Sequence, residues 1–131
     1  MATYVGHPEF HAPKTLAGAM FSSGGYDLTK MEEGESRSAY YGADRSLYAQ
    51  RSALPGLVKS TIPFMANAAE LDPPWMVDQL EQLKSAMCES TRGCIRTLLQ
   101  PKHNHMSQSY AINTSDTLLT DQILAFIKMG K

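Results

Sequence analysis

The chain has 131 residues, a formal net charge of −1 and a sequence pI near 6.4. That is the size of one domain, and the charge gives no general pull toward nucleic acid or an anionic membrane. The hydrophobic class reaches 43%, yet Leu, Ile, Val and Phe supply only about 19% of the chain, the remainder being largely Ala, Met and Tyr.

A chain so composed is expected to bury a thin core of its own, with neighbouring molecules completing it. Eight methionines suit adaptable contact surfaces, and the scarcity of Val and Ile weighs against an all-β fold. The expected fold class is therefore mainly α with little or no sheet: an extended irregular N-terminal arm, residues 1–35, followed by a small helical domain, residues 36–131.

Gly6, Pro8, Pro13, Gly18, Gly24, Gly25 and Gly34 interrupt the arm too often for a long helix or strand. Its aromatics come singly as Tyr4, Phe10, Phe21 and Tyr26, the pattern of a segment that inserts one anchor at a time into a partner. A first helix is predicted over about 36–54, where Tyr40, Ala43, Leu47 and Leu54 recur at helical spacing. Gly42 weakens it by ~1 kcal/mol relative to Ala, and Pro55-Gly56 ends it. The stretch "LVKSTIPF" reads as one short extended segment, and "FMANAAEL" as a helical turn or two.

The best-marked element is a helix over about 73–99. Asp72 stands as its N-cap and Pro73 at the first helical position. Met76, Leu80, Leu83 and Met87 form its apolar stripe, which Cys94 and Leu98 prolong at seven-residue steps. Gly93 is either its C-terminal cap or a small residue inside it, and Pro101 sets the outer limit. A last amphipathic helix is predicted over about 116–129, capped by Ser115 or Asp116, striped by Leu119, Ile123 and Phe126, and stopped by Gly130.

On an unbroken helix Cys88 and Cys94 stand ~9 Å apart along the axis and ~120° apart around it, too far for a disulfide or a shared metal. Reduced thiols are expected. The order C-x5-C followed by H-x-H fits no zinc-finger spacing, and His103 and His105 share a metal only on extended backbone. His7 and His11 are four residues apart, but Pro8 and Pro13 make that stretch a poor helix. The chain has no G-x-S-x-G, no phosphate loop and no dinucleotide-binding glycine turn. No catalytic, cofactor-binding or metal-ligating residues are nominated, and no cofactor is expected. Arg92, Arg96, Lys102, His103 and His105 form a basic stretch without interleaved aromatics, so nucleic acid is not expected either.

The expected function is a non-catalytic structural or accessory subunit that docks on a larger protein assembly, such as an organelle enzyme complex, a virion or a cytoskeletal array. Its partner-binding residues are Tyr4, Phe10, Phe21, Tyr26, Leu119, Ile123 and Phe126. The alternative is a small α-helical ligand- or metal-binding domain in which His103, His105 and Cys94 are the residues of interest. No window reaches 18 apolar residues, and the N-terminus has neither the charged nor the apolar part of a secretory signal. An intracellular location is expected.

Overall fold

The computed structural model describes residues 1–10, 16–32 and 34–129. His11, Pro13 and Gly130 lie outside the described residues. In chain order the elements are α1 (Ala2–Gly6), β1 (Ala19–Ser22), α2 (Glu35–Tyr41), α3 (Tyr48–Arg51), α4 (Leu54–Leu57), β2 (Phe64–Ala69), α5 (Pro74–Glu89), β3 (Arg96–Gln100), α6 (Ser107–Tyr110) and α7 (Leu118–Met129). Single 3-10 turns at Pro8–Phe10, Leu28–Lys30 and Arg45–Leu47 lie between them.

The three strands form one parallel sheet in the order β1-β2-β3. This overturns the expectation of a mainly α chain with little or no sheet: the fold is an α/β mix. The physical reason lies in β2. All six residues of FMANAA are buried, and a central parallel strand covered on both faces shows a continuous apolar run with no period-2 alternation. Its alanines remove the β-branched signal by which strands are usually read. They are small for a reason: Ala66 and Ala68 are fully buried in the same cluster as Leu80, Leu83 and Met87 of α5, which packs on β2. Each of those three α5 side chains contributes ~1.5–3 kcal/mol through burial.

The described residues of the expected extended arm join the sheet and the core instead. Ala19 pairs with Phe64 and Ser22 with Asn67, which makes β1 an edge of the sheet. Val5, Phe21 and Tyr26 join the main core, and Leu28 and Met31 join a second cluster with Tyr48. Phe21 packs tilted against Phe64 with ring centroids 5.0 Å apart. At α1 the backbone comes unusually close to α4: a Cβ placed on Gly56 would lie 1.4 Å from the Gly6 carbonyl oxygen.

The helix expected over 36–54 is broken into α2, α3 and the start of α4. Gly42 at φ 91° turns the chain after Tyr41, in a region that disfavours a side chain. The helix expected over 73–99 stops at Glu89. Gly93 at φ 79° reverses the backbone, and residues 96–100 become β3. That reversal brings the Cys88 and Cys94 Cα atoms to 4.0 Å and allows a disulfide between them, correcting the expectation of two free thiols. The last helix, Leu118–Met129, lies inside the stretch predicted for it.

Candidate functional site: a histidine and a carboxylate at the strand ends

In an open parallel sheet, ligands bind beyond the carboxyl ends of the strands. Here Ser23 follows β1 directly, Asp72 lies three residues past β2, and His105 lies five past β3. The fold gathers all three. His105 Nδ1 is 3.0 Å from Asp72 Oδ1. The Asp72 side chain is 0% exposed and that of His105 is 50% exposed. A carboxylate only accepts, so Nδ1 carries the hydrogen and, in the neutral ring, Nε2 is left with its lone pair free. Among the described residues no group bonds to Nε2.

Asp72 was expected to cap α5. Instead α5 begins at Pro74 without a side-chain cap, and the Asp72 carboxylate turns inward. Its Oδ2 accepts from the Ala69 N–H at 2.8 Å and from the Ser23 hydroxyl at 2.5 Å. Both oxygens are thus satisfied, as a buried carboxylate requires. The prolines that follow explain the change of role: Pro74 disfavours helical backbone at the residue before it, Pro73 is extended at ψ 134°, and the helix start moves one residue beyond the reach of Asp72 as its cap.

Backbone bonds hold the two loops together. Leu71 N–H donates to the His103 carbonyl at 2.8 Å, Glu70 N–H to the Gln100 carbonyl at 2.9 Å, and Lys102 N–H to Glu70 Oε2 at 2.6 Å. His103 does not share a ligand with His105. Its Nε2 is 2.8 Å from Asp116 Oδ2 and its Nδ1 is 3.1 Å from Ser107 Oγ. The hydrogen bond from His103 holds the Asp116 carboxyl below the usual carboxylate range. This second pair fastens the loop that carries His105.

His105 opens on a cavity of about 500 Å³. Met76 and Trp75 at the start of α5, Tyr40 and Tyr41 of α2, and Arg37 line it together with the β1 loop. Arg37 lies over the Trp75 ring, 5.9 Å from its centroid. The β1 loop is held by Gln79, a buried glutamine on α5, whose Oε1 accepts from Tyr26 N–H and Asp27 N–H at 2.6 and 2.7 Å. The Tyr26 hydroxyl has no partner in the described structure, and burial raises its pKa far above the usual phenol value.

The residues expected to bind partners are scattered. Phe21, Tyr26 and Leu119 are buried at 3%, 1% and 2% exposure, so they anchor this chain's own core. Their isolated positions in the sequence reflect single insertions into that core. Ile123 and Phe126 are half-buried, Tyr4 and Phe10 stack on each other, and Phe10 is exposed. The set named for a metal is also dispersed: Cys94 is bonded to Cys88, and each histidine is held by its own aspartate. Among the described residues no three of His, Cys, Asp and Glu converge on one point. Nor is any helix among them long and apolar enough to cross a membrane.

Sequence reasoning named Asp72 only as a helix cap and His105 only as a candidate ligand- or metal-binding residue, and it missed their pairing. A signal was present: each follows a short segment that, read as a parallel strand, would have put it at a carboxyl end. No protein-family model matches the chain, and no curated protein matches it in sequence.

Proposed function

We propose that this chain carries the base of a hydrolytic site, with His105 as general base and Asp72 as the carboxylate that fixes its tautomer. One observation supports the reading above others: a fully buried carboxylate sits on Nδ1, Nε2 has no partner among the described residues, and His105 lines a cavity at the carboxyl ends of a parallel sheet. In the proposed reaction Nε2 takes a proton from water, or from another hydroxyl entering the cavity, as its oxygen attacks a carbonyl carbon. The resulting imidazolium then delivers that proton to the departing oxygen or nitrogen, and Asp72 remains ionised throughout. Trp75, Met76, Tyr40 and Tyr41 favour an ester or amide with an apolar or aromatic acyl group.

The test is hydrolysis of p-nitrophenyl acetate by the purified chain and by His105→Ala. Turnover above buffer, reduced at least ~10²-fold in the variant, is the expected result. Absent turnover, or equal rates for the two proteins, would refute the proposal.

The docking role expected from composition is the second reading, and specific features favour it. Among the described residues β1 and β3 each leave one edge unpaired, and such edges recruit further strands. Leu124, Ile127 and Met129 of α7 are exposed at 46%, 53% and 72%. Under this reading Ile127→Asp abolishes recovery of partner subunits with a tagged copy. Unchanged recovery would exclude α7 as the docking face.

A further inference from the structure

Beside the histidine–carboxylate pair lies a relay of amides and hydroxyls centred on Gln108 of α6. Gln108 is 1% exposed. Its Nε2 donates to the His105 carbonyl at 3.2 Å and to Ser23 Oγ at 2.6 Å. Its Oε1 accepts from Asn67 Nδ2 at 2.7 Å and from the Ser22 hydroxyl at 3.4 Å. One side chain therefore ties the ends of β1, β2 and the β3–α6 loop together.

The direction of these bonds follows from chemistry. The His105 carbonyl can only accept, so the Gln108 atom facing it must be the amide nitrogen. The second hydrogen of that nitrogen points at Ser23 Oγ, which must accept it. The Ser23 proton is then directed to Asp72 Oδ2, 2.5 Å away. With Ala69 N–H on the same oxygen, Oδ1 is left to His105. Ser23 adopts φ 47° to make this contact, a conformation rare for a residue with a side chain.

We infer that Gln108 and Ser23 are positioning residues for the Asp72–His105 pair: the Gln108 amide sets the direction of the Ser23 proton, and that proton holds the carboxylate in register with the imidazole. This deepens the catalytic reading and rests on it for activity, while its geometric part can be measured without any substrate. Gln108→Glu keeps the size but replaces the donor by an acceptor, so the Ser23 proton is drawn away from Asp72 and the His105 carbonyl loses its donor. Ser23→Gly deletes the hydroxyl and suits the left-handed backbone, which keeps the test open if the first variant folds poorly. The other charged and titratable side chains that line the cavity, Arg37, Tyr26, Tyr40 and Tyr41, are replaced in neither variant.

The experiment follows the His105 Nδ1–H proton resonance in nitrogen-15-labelled whole chain, alongside kcat and KM for p-nitrophenyl acetate. The wild type is expected to give one downfield Nδ1–H signal. Both single variants lose it or move it, kcat falls at least ~10-fold with KM unchanged, and the double variant goes no further than either single one. An unchanged signal in either folded variant, or additive losses in the double variant, would overturn the inference. A wild type that has the signal but no turnover sinks the catalytic reading and leaves the resonances to judge the relay.

Discussion

Asp72→Asn separates a catalytic carboxylate from a structural one, because the two roles predict losses of very different size. Three donors point at Asp72: Ala69 N–H, the Ser23 hydroxyl and His105 Nδ1–H. An asparagine offers one oxygen. Placed where Oδ2 lies, that oxygen still accepts from Ala69 and Ser23, and the amide NH₂ then faces His105. The ring must accept there and carry its hydrogen on Nε2, where a base needs a lone pair. The three charge-assisted bonds of the carboxylate become neutral ones, a loss of ~1.5–3 kcal/mol, so the midpoint of thermal unfolding falls by roughly 5–10 °C in a domain of this size. The histidine stays in place but in the wrong tautomer, so kcat/KM falls by roughly 10²–10⁴-fold. Circular dichroism melts and initial rates on the same samples, taken well below the melting range, give both figures. A variant that is still folded and hydrolyses at the wild-type rate would refute the reasoning.

Two further outcomes test the frame around the site. Reducing the Cys88–Cys94 bond, or replacing both cysteines by alanine, relaxes a short loop between α5 and β3 and is expected to cost ~2 kcal/mol by the loop-entropy relation; a melt unmoved by reductant would contradict this. Gly56→Ala places a methyl group on the Gly6 carbonyl and is expected to cost more than ~3 kcal/mol through overpacking and backbone displacement, with a cost below 1 kcal/mol arguing against the packing of α1 on α4.

How much of this was legible depends on the kind of signal each element carries. The stripe of α5 and that of α7 repeat at 3.6 residues, and both helices occupy stretches predicted to be helical. The strands have no such rhythm. β2 is an alanine-rich run buried on both faces, and β3 continues the apolar spacing of α5 closely enough to look like more helix. The left-handed backbone at Gly93 decides between the two, and a glycine alone does not reveal its φ. Once 96–100 is given to a helix, the cysteines appear too far apart to bond and His105 falls in a loop with no visible carboxylate partner. Asp72 misled for a related reason: an acid before two prolines has the outward form of a helix cap, whereas its partners, Ser23 and His105, lie 49 and 33 residues away. The thin aliphatic content was real, but Tyr26, Met31, Met65 and Met87 are all buried in the core, where tyrosine and methionine replace the missing leucine and valine.

The claim that matters most is that Asp72 fixes the His105 ring with its hydrogen on Nδ1 and its lone pair on Nε2. Ring nitrogen-15 shifts of the neutral imidazole in the intact chain read this directly. The account predicts a protonated Nδ1 beside an unprotonated Nε2, exchanged for the opposite tautomer in Asp72→Asn. A ring that averages both tautomers in the wild type, or one indifferent to the loss of the carboxylate, would contradict it.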